Sequence, residues 1–162
     1  MLREFAEYIV DSPLNQWVNS VSGLWPVLEI VHFIGLSLLL GGLIVVDLRL
    51  AGHFRSMDLR ATHKLLPWVF AGFGLNLTSG VLFFYGDPLR YAINIGFQIK
   101  MLLVMIAGLN TVLYYRKVHT AVLALGAEAD PPPLARVVAY TSLAAWTGVL
   151  LCGRLIPYVG TG

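Results

Sequence analysis

Four stretches of about twenty mostly apolar residues dominate the chain. They run from about Trp25 to Leu48, Leu65 to Tyr85, Asn94 to Tyr115 and Val137 to Tyr158. Each is long enough, as an α-helix, to cross a hydrocarbon core of ~30 Å. None shows the period-2 alternation of a membrane barrel strand. A helix also satisfies its own backbone polar groups, which hydrocarbon cannot do. Of 162 residues, 57% are hydrophobic and 12% charged, against roughly a quarter charged in a typical soluble domain. That polar surface is too small for a water-soluble globule. A soluble enzyme, a nucleic-acid binder and a disordered chain are excluded. The predicted fold is all-α: an integral membrane antiparallel four-helix bundle over residues 25–162, with an interfacial amphipathic segment over 1–24.

The N-terminal segment has no long apolar run ahead of a cleavage site, and Arg3, Glu4, Glu7 and Asp11 interrupt it. It therefore reads as two short surface helices broken at Ser12-Pro13, not as a signal peptide. Residues 126–133 (GAEADPPP) read as a stiff, acidic linker. Basic residues set the orientation. Arg49, Arg55, Arg60, Lys64, Arg116, Lys117 and Arg136 belong to the first and third connections, while Arg3, Arg90 and Arg154 lie on the other side. The positive-inside rule then puts the first and third connections in the cytoplasm and both termini in the periplasm of a bacterial inner membrane. Glycines inside the spans, among them Gly35, Gly42, Gly72 and Gly148, suit close helix–helix approach. Small residues on the outer faces leave a homo-oligomer open.

Ionisable groups inside a span cost at least ~2.5–3.5 kcal/mol on insertion scales, so they mark candidate function. His32 lies about 10 Å inward from Trp25, and Lys100 about 9 Å inward from Asn94. Arg154 is near the outer end of the fourth span, and Glu29 and Gln98 sit one turn or less above His32 and Lys100. Antiparallel packing brings His32, Lys100 and Arg154 to similar depth on three helices. A b-type haem needs a neutral imidazole for its iron, apolar walls for its macrocycle and basic partners for its propionates. His32 would be the metal ligand, Lys100 and Arg154 the propionate partners. Gly35, one turn from His32, would leave room for the flat ring. Phe33, Phe73, Phe97 and Trp146 are candidate walls. The same residues also allow a structural reading, with His32 hydrogen-bonding across the bundle, for instance to Glu29, and the two cations reaching the headgroups. No second histidine occurs in the outer half, so Lys100, Met101 and a partner chain stay open as the source of a sixth ligand.

In the inner half, Asp47 and Arg49 are expected to pair. His53, His63 and His119 lack metal-ligand spacing and read as solvated or headgroup-contacting. Asn76 and Asn110 are expected to hydrogen-bond between helices, and Trp68, Tyr114 and Tyr115 to form an aromatic belt. There is no Gly-rich phosphate loop, CxxC, HExxH or GxSxG.

The strings PVLEIVHFIGLSLLLGGLIVVDLRLAG, LLPWVFAGFGLNLTSGVLFF, FQIKMLLVMIAGLN and WTGVLLCGRLIPY resemble an uncharacterised bacterial family of small four-helix membrane proteins. More distantly, the histidine-bearing first span and lysine-bearing third span resemble the copper-resistance protein D domain and the membrane protoporphyrinogen oxidase family. The last resemblance implies a functional pair at His32 and Lys100 and a bound haem b. It does not imply the oxidation of protoporphyrinogen, because much of that family's remaining pattern is absent. The resulting expectation is a membrane b-type haem protein passing electrons between a quinol or redox partner protein and the periplasmic side. The alternatives are a cofactor-free scaffold, a small-solute or copper transport subunit, and a porphyrin-oxidising enzyme.

Overall fold

The computed structural model describes residues 2–125 and 129–159. Within them the chain is helical, with no strand. Two short helices come first, α1 (Leu2–Ile9) and α2 (Pro13–Ser20), followed by the long α3 (Leu24–Leu50). A short α4 (Leu59–His63) leads into α5 (Leu66–Gly86). The short α6 (Pro88–Ile93) precedes α7 (Ile95–Leu113). A π-helical turn over Tyr114–Val118 continues α7 into α8 (His119–Leu123), and α9 (Pro133–Leu155) closes the order. Four helical stretches are long and apolar enough to cross a membrane: Leu24–Leu50, Leu59–Gly86, Ile95–Leu123 and Pro133–Leu155.

Local chemistry places the boundaries. The Ser12 hydroxyl accepts from the Asn15 N–H at 3.2 Å, and Pro13 occupies the first turn of α2, where its missing N–H costs nothing. Gly23 (φ 82°) supplies the left-handed residue that turns the chain into α3. Asn94 is fully buried: its Oδ1 caps α7 by accepting from the Phe97 N–H at 3.1 Å, while its Nδ2 donates to the carbonyls of Ile156 (2.8 Å) and Val159. One side chain thus ties the start of α7 to the end of α9. Proline stops a helix from being extended toward its N-terminus but is welcome in its first turn. Pro133 accordingly begins α9 and does not belong to a linker, which corrects the sequence expectation; residues 126–128 lie outside the described residues.

The helices pack mainly as two pairs, α3 with α5 and α7 with α9, and α3 also touches α9. Along the first pair, Trp25 meets Phe83, His32 meets Ser79, Gly35 meets Gly72 and Gly42 meets Val69. Along the second, Gly96 meets Ile156, Lys100 meets Gly153, Leu103 meets Gly148 and Asn110 donates to the Val138 carbonyl at 2.9 Å. A methyl on Gly72 would stand 2.6 Å from the Gly35 carbonyl oxygen, so this crossing requires glycine on both helices. The N-terminal helices are docked onto the rest. Asn15 and Asn19 donate to the Tyr85 and Gly86 carbonyls at 2.6 and 3.0 Å, satisfying the otherwise open C-terminal end of α5. Phe5 of α1 stacks on Phe84. Buried Val46, Leu50, Leu59, Val118, Val122 and Val138 form the main apolar core, at the end of the molecule where α4 and α8 meet.

Candidate functional site

At the opposite end, α3, α5, α7 and α9 splay around a cleft of about 1320 Å³. It exceeds the roughly 300–1,000 Å³ of most small-molecule sites. His32 of α3, Lys100 of α7 and Arg154 of α9 all line it, joined by Glu29, Gln98 and Arg90. Phe33, Phe73, Phe97 and Trp146, the four aromatic residues proposed from sequence, are on its walls. Phe73 meets Trp146 edge-on at 6.0 Å, and Phe84 stacks on Phe97 at 5.6 Å. Leu2 and Phe5 of α1 also reach the rim.

His32 is half-buried and held from one side. Its Nδ1 lies 2.8 Å from the Ser79 hydroxyl oxygen, and Phe83 meets the ring edge-on at 5.7 Å. Ser79 is itself 1% exposed and spends its only proton on the Leu75 carbonyl, at 2.6 Å. It can therefore only accept from the imidazole. Nδ1 carries the hydrogen, and in the neutral ring the lone pair is on Nε2. This is the tautomer a metal-ligating histidine adopts when a second group fixes its other nitrogen. The partner is Ser79 and not Glu29, and a hydrogen bond of His32 across the bundle is what the structural alternative expects.

Lys100 lies along α9: its Nζ is 3.4 Å from where a methyl on Gly153 would stand, and it is within electrostatic reach of His32. The Arg154 guanidinium covers the Tyr158 ring at 5.5 Å and is solvent-facing at the rim. Gln98 donates to the Ala92 carbonyl at 3.0 Å. Met101 lines the same cleft beside Lys100. Gly35 is different. The space a side chain would fill there is already taken by α5, with the Gly72 carbonyl oxygen and Leu75 Cβ each 2.9 Å away. It makes the helix crossing and leaves no room for a ring, which corrects its assignment as a cofactor-binding residue.

Among the described residues, no three His, Cys, Asp or Glu side chains gather to hold a bare metal ion.

Away from His32, Lys100 and Arg154, the structure departs from the sequence expectation for the Asp47–Arg49 pair, for His63 and His119, for Tyr114 and for Asn76. Arg49 donates to the Met57 carbonyl at 2.7 Å, whereas the Asp47 carboxyl stands beside Ser142, so the two do not form the expected pair. His63 and His119 are not simply solvated; both converge on the hydroxyl of Tyr114, which is buried and not part of a belt. His53 meets the Tyr140 hydroxyl at 3.1 Å. Asn76 donates within its own helix, to the Gly72 carbonyl, and only Asn110 bridges helices as expected. Ser79 was missed in the sequence because a serine in an apolar helix reads as interhelical glue. The meeting of Tyr114 and His119 was missed because residues five apart on an α-helix point about 140° away from each other.

Comparison with known protein families, with characterised proteins and with solved structures finds no match to this chain.

Proposed function

We propose that this protein is a multi-pass membrane protein that holds a b-type haem in the outer cleft. The four long helices leave large apolar side chains uncovered along their length, including Ile30 (59% exposed), Leu109 (69%) and Val137 (60%). Surfaces of that kind need hydrocarbon around them. The opposed contact orders along α3/α5 and α7/α9 support an antiparallel bundle. The lysine and arginine bias supports cytoplasmic first and third connections in a bacterial inner membrane, with periplasmic termini.

The observation that carries the haem reading is the Leu75–Ser79–His32 hydrogen-bond chain. It holds Nδ1 as a donor, so that the neutral imidazole would offer Nε2 to a metal inside an aromatic-walled cleft. His32 would hold the iron, and Lys100 and Arg154 would neutralise the propionates. Met101, or Lys100 in place of its propionate role, would be the chain's own source of a further ligand. Haem supplies one-electron chemistry when bound. The chain's own part is to fix the imidazole, wall off the ring and offer a route for electrons between a quinol or a redox partner protein and the periplasmic side. The resemblance of the first and third spans to the membrane protoporphyrinogen oxidase family, in which a bound haem b is implied, points the same way.

Haem content per chain tests this. Protein purified from haem-replete cells should carry near-stoichiometric extractable haem, and His32→Ala should lose it while keeping its helical content. Equal haem in both proteins removes His32 from the assignment. A second reading is favoured by the cleft's size and basic lining, which would equally seat a porphyrin as substrate. Product formation from protoporphyrinogen above the air-oxidation background would establish that enzyme activity.

A further inference from the structure

A second, smaller pocket of about 190 Å³ lies on the inner side of the cleft. Leu39, Phe73, Val104 and Trp146 line both, so an apolar partition separates them. The inner pocket contains one acid, Asp47, which is 4% exposed. Ser142 stands beside its carboxyl, and its Oδ2 is buried with no hydrogen-bond partner among the described residues. A buried carboxylate oxygen in that state is costly unless it takes a proton or a polar ligand. A water needs about 10–15 Å³ of such space, so the pocket has ample room for several. Tyr114 and Tyr115 are its other titratable residues; α5 and α9 contribute none.

Tyr114 connects this pocket to two histidines, and the hydrogen bonding there has a definite direction. His63 Nδ1 is 2.6 Å from the Leu59 carbonyl, which can only accept, so Nδ1 carries a hydrogen. Nε2 of the neutral ring is then the acceptor for the Tyr114 hydroxyl, with which it is in hydrogen-bond contact. His119 Nδ1 approaches the same hydroxyl at 3.3 Å. The π-helical turn makes this possible: the His119 N–H bonds to the Tyr114 carbonyl five residues back, and the wider turn brings the two side chains together. His63 and His119 are only partly covered, next to exposed Lys64, Arg116 and Lys117.

We infer that Asp47 is a proton-accepting site loaded from the His63/His119 end of the molecule through the Tyr114 hydroxyl. The Tyr114 O–H turns from His63 toward the pocket, and the Nε2 so freed takes a proton arriving from water and becomes a donor to the phenol oxygen. As Tyr114 passes its hydrogen through pocket water to Asp47 Oδ2, it takes the proton from His63 Nε2. The tyrosine ends neutral, His63 ends neutral, and one proton has moved from the surface to Asp47. The site stands on its own residues and does not depend on haem at His32.

Infrared spectroscopy of the purified protein in lipid tests this. A protonated-carboxyl C=O band should grow as the pH falls and be missing in Asp47→Asn. Its shift in heavy water should be slower by about tenfold or more in Tyr114→Phe, in keeping with the size of positioned proton-transfer effects. The same band should persist in His32→Ala, which separates this site from the haem reading. The inference is overturned by a band that survives Asp47→Asn, by no band at any pH at which the protein stays folded, or by wild-type exchange in Tyr114→Phe.

Discussion

Replacing Gly72 with alanine adds one methyl group at the tightest point of the α3/α5 crossing. That methyl would stand 2.6 Å from the Gly35 carbonyl oxygen and 2.7 Å from the Leu39 nitrogen, both backbone atoms that cannot turn aside. Ordinary contact begins at 3.4 Å, so the helices must part by about 0.8 Å. Overpacking of this kind costs about 1–3 kcal/mol. The consequence reaches the site, because Ser79 lies two turns further along α5. Its 2.8 Å contact with His32, lengthened by the same amount, becomes about 3.6 Å, at which a hydrogen bond is no longer made. Gly72→Ala should therefore melt lower in detergent, by about 2–4 °C per kcal/mol for a chain of this size, and should also bind haem more weakly. Gly74→Ala is the control: nothing lies within 4 Å of its added methyl, and stability should change by no more than about 0.5 kcal/mol. Equal melting of Gly72→Ala and wild type would refute the account of the crossing. A lower melting temperature with unchanged haem affinity would refute the link from the crossing to His32.

Further variants test the remaining parts. Ser79→Ala removes the group that fixes the imidazole and should weaken haem binding by about 10–100-fold, the usual effect of losing such a partner; titration of haem into the emptied protein measures it. Asn94→Ala removes the cap of α7 and leaves two α9-end carbonyls without their donor, and should cost about 1–3 kcal/mol in thermal unfolding. In a Cys152→Ser background, which removes the chain's one cysteine, Asp58→Cys should react with a membrane-impermeant thiol reagent only after spheroplasts are lysed. Labelling of intact spheroplasts would reverse the proposed orientation.

The four long helices were legible because a length of apolar sequence constrains a chain more than any single residue does. Their starts were legible where a cap or proline sat at the boundary, as at Ser12-Pro13 and Asn94. Pro133 was misplaced because the triple proline reads as linker, although its last member has the fixed φ that opens a helix. At the site, depth counting brought His32, Lys100 and Arg154 to one cleft because helical rise is regular. Gly35 was misread for a different reason: a missing side chain signals close approach, and the sequence does not say whether a ring or another helix makes it. Ser79 and the Tyr114–His63–His119 cluster depend on which faces meet. In Tyr114's case they also depend on a π-turn that changes the helical period over five residues. Neither is written in spacing alone.

The most direct test of the central proposal is a dithionite-reduced minus oxidised absorbance spectrum of the purified wild-type protein. The proposed haem site predicts a shifted Soret band and a sharp reduced α-band that disappear in His32→Ala. A flat difference spectrum from haem-replete cells would contradict it.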